Sequence, residues 1–238
     1  MNSKAEENLH ALIVDADKTI RSLLVDTLSK GNIKCSVSDN LEENTNLNFD
    51  LIFVDTKILE INKLKTSCLA HKHHNEYKII ALTFSKNKED LYHLIKSGIS
   101  DIMEKPFSHE SISKIIFRYQ EFQYDTTNRY DEQAIVKIFG NDKDFIRKMT
   151  DLYIVTSDND FEILLNTFKN SDITGLREMA HKMASPAGQI GATRLHKRFK
   201  DMENCIGSNP NKNITDLFHR IADINFEIKM IHSILKAI

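Results

Sequence analysis

Four polar residues in the first half of the chain stand at or just past the C-terminal ends of apolar runs: Asp15, Asp55, Thr83 and Lys105. Two acids, a hydroxyl and an ammonium suit a divalent metal together with a phosphoryl group. The acids hold a hard cation through oxygen. The lysine and the threonine hold phosphoryl oxygens. A carboxylate such as Asp55 can also be the nucleophile, forming an aspartyl phosphate. A second candidate lies far along the chain: His181, in "AHKMASPAGQIGA", sits among small side chains. No nucleophile, base and orienting group surround it in an array that suits hydrolysis. It suits a histidine that takes and gives phosphate through a ring nitrogen, or equally a surface histidine beside helix-packing alanines.

The elements that carry the first four residues are short apolar runs without alternation: "ALIVD", "DLIFVD", "KIIALT" and "DIME", with a weaker "IKCSV" after the first. Helical patterns separate them, from Asp17 to Lys30, through Leu64 and Leu69, through Leu91 and Ile95, and from Ser108 to about Phe122. Non-alternating strands between helices predict a doubly wound α/β domain, a five-stranded parallel sheet covered on both faces. In such a sheet ligands bind beyond the carboxyl ends of the strands. Neighbouring strands are about 4.8 Å apart, so the four side chains can converge on one small site.

The polar stretch "QYDTTNRYD" reads as a linker, and no convincing strand follows it. Phe145, Met149, Leu152, Leu164 and Phe168 fit one long helix. Leu176, Ala180, Met183, Ala187 and Ile190 fit a second, and Leu195, Phe199 and Met202 a third. The stripe from Ile214 through Leu217, Ile221, Ile224, Ile228 and Ile231 to Leu235 fits a fourth. They predict an all-α four-helix bundle with a short extra helix near Ala134 to Phe139. The boundaries are a tail at 1–8, the α/β domain at 9–122, a linker at 123–130 and the bundle at 131–238. His181 falls roughly 130° from the centre of its helix's apolar stripe, on an accessible flank. Its neighbours Ala184, Ser185 and Gly188 would leave a landing surface for another protein, with Arg177 adding positive charge one turn earlier. Pro186 predicts a kink just past the histidine. Gly191 fits the left-handed residue that ends the helix.

The 238 residues carry a net charge of -2, which gives no electrostatic footprint for nucleic acid. No apolar run is long enough to cross a bilayer, and the polar start lacks a signal-peptide core. Three scattered cysteines fit reduced thiols in a cytoplasmic setting. "HKHH" from His71 to His74 has poor spacing for a tetrahedral metal site and reads as a solvated helix end. The basic run from Arg194 to Lys200 reads mostly as the exposed face of its helix, able to help dock an acidic partner.

The stretch from Leu9 to Phe122 resembles the receiver domain of two-component response regulators, through "LIVDADKTIR", "DLIFVD", "IIALT" and "EKPF" in the family's order and approximate spacing. The resemblance implies a flavodoxin-like fold, with Asp55 as phosphoacceptor and Thr83 and Lys105 at the phosphoryl group. It also implies a Mg2+ ion held by Asp15 and Asp55, and a Lys105–Pro106 peptide that can be cis. The family usually has a second acid directly after the first; here that position is Ala16, which weakens the expected metal site. Asp17 fits two readings, a helix N-cap or a displaced metal ligand on the same face as Asp15. The usual aromatic of the last strand is Ile102.

Tyr130 to Leu235 resembles a histidine-containing phosphotransfer (HPt) domain, through "GLREMAHKM", "IGA" and "RLHKRFKDME". The resemblance implies that His181 is a phosphoacceptor. The family usually has a lysine three residues after that histidine; here it is Ala184, and Lys182, counted with Arg177, Ala184, Ser185 and Gly188 in the docking surface, would supply some of the missing charge although it points elsewhere on the helix. Together the two resemblances imply a cytoplasmic phosphorelay protein rather than an enzyme with its own kinase ATP site. Asp55 would receive phosphate from a histidine kinase, and His181 would exchange it with a receiver aspartate. The chain could also be the tail of a longer hybrid kinase. The alternative is a degenerate receiver that acts as an interaction module, attached to a working or inactive HPt domain.

Overall fold

The computed structural model describes residues 9–39, 49–58, 77–85, 87–124, 129–208 and 213–237. The helical pattern at Leu64 and Leu69, the "HKHH" run and residues 125–128 of the expected linker lie outside them. The described residues form two compact units, one within 1–86 and 96–121, the other within 87–95 and 122–238. The second unit therefore includes a helix that the sequence assigns to the α/β domain.

The strands are β1 (His10–Val14), β2 (Lys34–Ser38), β3 (Leu51–Asp55), β4 (Lys78–Thr83) and β5 (Asp101–Glu104). They form a parallel sheet in the order β2-β1-β3-β4-β5, the order of flavodoxin-like folds. Every residue of β3 and β4 is buried, as a sheet covered on both faces requires. Helix α1 (Lys18–Lys30) turns Leu24 and Leu28 onto Ala11, Ile13, Leu51 and Phe53. Helix α3 (His109–Tyr124) adds Ile112, Ile115 and Tyr119 to the same core. Each fully buried leucine or isoleucine contributes about 1.5–3 kcal/mol.

The second unit holds α2 (Lys88–Lys96), the short α4 (Glu132–Phe139), and four long helices: α5 (Lys143–Lys169), α6 (Ile173–Gln189), α7 (Thr193–Ser208) and α8 (Ile214–Leu235). Helix α6 packs on α5 and α7, α7 on α8, and α8 on α5. The last stripe is as expected, with Leu217, Ile221, Ile224, Ile228, Ile231 and Leu235 buried. The face of α5 is as expected at Leu164 and Phe168 but not nearer its start. Phe145 and Leu152 are exposed, whereas Thr150, Ser157 and Asp160 are buried beside Tyr153, Phe161 and Leu164. The buried hydroxyls have partners: Thr150 donates to the Arg147 carbonyl, and Ser157 bonds the Ile154 carbonyl and His232. Satisfied in this way, a hydroxyl costs little to bury.

Helix α6 continues through Pro186 to Gln189. The proline lies in the last turn, so the lost bond to the Lys182 carbonyl disturbs little. Gly191 follows with φ +77, and Ala192 N–H donates back to the Ala187 carbonyl, a Schellman ending. A Cβ on Gly191 would also collide with the backbone of Asp131.

Candidate functional site

The sheet register brings the first four residues together. Val14 pairs with Val54, so Asp15 and Asp55 follow side by side. Asp55 lies beside Leu82, the residue before Thr83, and Thr83 pairs with Glu104, the residue before Lys105. The Lys105 N–H donates to the Thr83 carbonyl at 2.7 Å, and the peptide that follows it to Pro106 is cis. The side chains of Asp15, Asp55 and Lys105 end in one buried cluster, 0%, 6% and 5% exposed, and Thr83, 3% exposed, ends the strand beside them.

Lys105 Nζ bridges the acids, 2.6 Å from Asp15 Oδ2 and 2.8 Å from Asp55 Oδ2. The remaining oxygens accept backbone bonds, Asp15 Oδ1 from Asp17 N–H and Asp55 Oδ1 from Lys57 N–H, both at 2.8 Å. Burial alone would push the lysine's pKa down; its bonds to Asp15 and Asp55 more than offset this and raise it. The cluster carries two negative charges against one positive, a net attraction for a further cation. Its hard oxygens fit Mg2+, which is commonly held by one or two carboxylates with water and phosphate completing the shell. Among the described residues, no group of three or more His, Cys, Asp or Glu could hold a metal. Asp17 is occupied as the N-cap of α1, accepting from Thr19 and Ile20 N–H. The Thr19 N–H bond is the main cause of its lowered pKa. Thr83 Oγ1 donates to the Ser85 carbonyl and accepts from Ser85 N–H.

Two neighbours of this cluster escaped the sequence reading. Arg21 donates to the Asp15 carbonyl at 2.5 Å and pairs with Asp39. Its clue was its place on the first turns of α1, beside the end of β1. Phe84 is 62% exposed, and its ring centroid lies 5.2 Å from Lys57 Nζ and 5.5 Å from Lys105 Nζ. An exposed aromatic directly after a strand-ending threonine was the available signal.

His181 lies within the other unit, on α6, with its side chain 65% exposed. Its Nδ1 is 2.9 Å from Glu203 Oε1 on α7, and the other oxygen of Glu203 is 3.0 Å from Lys200 Nζ. Lys200 first, and His181 after it, hold the Glu203 carboxyl below the usual range. A carboxylate at Nδ1 favours the tautomer with its proton there, leaving the Nε2 lone pair for chemistry. Glu203 is 22 residues away in sequence, and nothing local marks it.

The expected landing surface is corrected in part. Ser185 is exposed, but Ala184 is fully buried. Gly188 faces His196, whose Nδ1 a Cβ there would meet at 3.1 Å and which is 2.7 Å from the Ala184 carbonyl. Ala180, Ala184 and Ala187 are all 0% exposed, so the small residues let α7 approach α6 rather than clearing space around His181. Arg177 lies against Gly207 of α7, and Lys182 pairs with Asp160 of α5 at 2.7 Å. Arg194 of the basic run is buried against Glu227, with Arg129 on that carboxylate's other oxygen.

Residues 11–117 match the family model "Response regulator receiver domain". The yeast (Saccharomyces cerevisiae) "Transcription factor SKN7" is 28% identical over 117 residues, covering 48% of this chain and 19% of that protein. The Bacillus subtilis "Probable C4-dicarboxylate response regulator DctR" is 24% identical over 145 residues, 56% of this chain and 64% of that one. The chain thus spans less than two thirds of the length of either relative. The structure of the chemotaxis response regulator CheY4 of Vibrio cholerae aligns with a TM-score of 0.42 at 19% identity, over 47% of this chain and 98% of that one. Among the described residues, no helix is long and apolar enough to cross a membrane. Within this chain, residues 11–117 are a receiver domain of the kind that serves two-component signalling.

Proposed function

We propose that the chain is a phosphorelay protein in which Asp55 accepts a phosphoryl group from a histidine kinase. His181, in an HPt-like four-helix bundle, exchanges one with a receiver aspartate, its own or another protein's. The observation that carries this proposal is the buried Lys105 bridge between Asp15 and Asp55. A bridging ammonium holds the nucleophilic carboxylate in place and is ready to meet charge that develops on a transferred phosphoryl group. A carboxylate oxygen of Asp55 forms the new bond to phosphorus, and the P–N bond of the donor phosphohistidine breaks with its electron pair returning to that imidazole. Thr83 Oγ1, released from Ser85, can donate to a phosphoryl oxygen. Asp15 and Asp55 would hold Mg2+, which supplies charge neutralisation for the phosphoryl oxygens. For the bundle, support comes from the exposed His181 ring with its Nδ1 held by Glu203.

The test is labelling of the wild type, Asp55→Asn and His181→Gln by kinase and by phosphorylated receivers of the same organism. Label on Asp55 is alkali-labile, and label on His181 is acid-labile and alkali-stable. Acid-labile, alkali-stable label persisting on His181→Gln would sink the assignment of His181.

One observation favours a second reading, the receiver as an interaction module. Ala16 stands where the family's second acid is expected, and Asp17 is committed to capping α1. Titration of Mg2+ with a small phosphodonor decides between them: no metal binding at millimolar concentration, and no label on Asp55, selects the module.

A further inference from the structure

We propose that Lys200 is the cationic positioning residue of the His181 site, acting from α7 through Glu203 in place of the cation that α6 itself does not present. The proposal rests on His181 being a phosphoacceptor. Three positions on α6 near the histidine are otherwise accounted for. Position 184 is a buried alanine. Lys182 is drawn to Asp160. Arg177 lies along Gly207. Lys200, by contrast, is joined to the ring through the two oxygens of one carboxylate, 3.0 Å from Oε2 while Oε1 is 2.9 Å from His181 Nδ1. Lys200 and Glu203 sit three residues apart on α7, so a single turn of helix carries both members of the pair.

The arrangement solves an electrostatic problem. Glu203 fixes the proton on Nδ1 and supports the positive charge that grows on the ring as Nε2 attacks. A phosphoryl group arriving on that ring brings about two negative charges close to the same carboxylate. Lys200 offsets the repulsion, keeps Glu203 ionised and holds its rotamer. In the step itself, the Nε2 lone pair bonds to phosphorus and the donor's bond to phosphorus breaks with its electron pair leaving on the donor. The Nδ1 proton stays between the ring and Glu203.

The full chain carrying Asp55→Asn confines labelling to histidine, and phosphoramidate serves as the probe; its P–N bond breaks and ammonia leaves, taking a proton from solvent. Phosphohistidine formation is followed by phosphorus NMR in this background and with Lys200→Ala, Lys200→Arg or His181→Gln added. Lys200→Ala is expected to slow formation about two- to fivefold, as suits a partly exposed ion pair. It should also move the acid limb of the rate profile to higher pH, because Glu203 loses the neighbour that most favours its ionised form. Lys200→Arg should restore most of the rate, and thermal unfolding should be the same for all. Equal rates for Lys200→Ala and its parent, with His181→Gln unlabelled, overturn the role of Lys200 and leave His181 standing. Arginine as slow as alanine overturns the role of charge. Label on His181→Gln overturns the site itself.

Discussion

Asp55 is 6% exposed and shares a buried ammonium with a second carboxylate, whereas the His181 side chain is 65% exposed and leans on a carboxylate at the rim of two helices. The first proposed acceptor is held at the ends of strands whose register leaves little freedom. The second is held by one hydrogen bond between helices. A carboxylate is a weak nucleophile toward phosphorus and gains from a site where charges are fixed in advance and water is excluded. An imidazole is already a good nucleophile near neutral pH and needs its tautomer set more than its surroundings built. Substitutions should therefore act steeply at the sheet edge and shallowly on α6.

Lys105→Met should have the largest effect. It leaves Asp15 and Asp55 buried together without their shared cation, at a cost of about 3–5 kcal/mol for a broken buried pair. Loss of a fixed donor at the phosphoryl group should slow Asp55 labelling by about 100-fold or more. Labelling of His181 by phosphoramidate should be unchanged. Comparable loss at both acceptors would break the contrast, and unfolding curves report the stability change separately. A pH dependence follows from the same lysine. Its pKa is raised in the folded state, so its stabilisation is complete below the ordinary lysine value of 10.5 and is lost as pH rises through the folded value. The alkaline unfolding edge of the wild type should therefore be absent or flattened in Lys105→Met, as read by circular dichroism across pH 9 to 12 (about the range over which lysine titrates).

Glu203→Ala should come next, slowing His181 phosphorylation about five- to tenfold through loss of a charge-assisted hydrogen bond that orients the ring. Glu203→Gln, which keeps an acceptor but not the charge, should fall between alanine and wild type. Asp55 labelling serves as the internal control. If Glu203→Ala reacts at the wild-type rate, the imidazole needs no orientation and the site is looser still than the comparison supposes.

Asp15, Asp55, Thr83 and Lys105 were legible because each ends an apolar run, and the geometry of a parallel sheet turns that one-dimensional pattern into a cluster. Glu203 was not, because its meeting with His181 depends on the sliding register of two helices, which no periodicity encodes. Ala184 and Gly188 were misjudged for a related reason. Small residues next to a histidine can clear space for a partner or admit the next helix, and only the position of His196 separates the two. On α5 the apolar pattern misled, because Thr150 and Ser157 satisfy their hydroxyls within the fold and take the buried face that Phe145 and Leu152 were expected to fill.

Asp17 gives the smallest effect and the finest division between the two acceptors' surroundings. It lies two residues from Asp15, yet its carboxylate faces the N–H groups of Thr19 and Ile20 at the start of α1. If capping is its whole role, Asp17→Ala costs about 1 kcal/mol of stability and Asp17→Asn only a few tenths, since asparagine caps nearly as well. Neither should change Mg2+ affinity by more than the loss of a distant charge allows, about twofold. A displaced metal ligand gives the opposite pattern. Asp17→Asn would then leave stability intact while weakening Mg2+ binding tenfold or more, because a neutral amide oxygen replaces an anionic donor at a hard cation. Calorimetric Mg2+ titration alongside thermal unfolding of the two variants separates these outcomes. The capping pattern would confine the metal's anionic protein ligands to Asp15 and Asp55, the same two groups that Lys105 already bridges. Metal and lysine then draw on one pair of carboxylates, and raising Mg2+ should loosen the Lys105 bridge as it occupies the site.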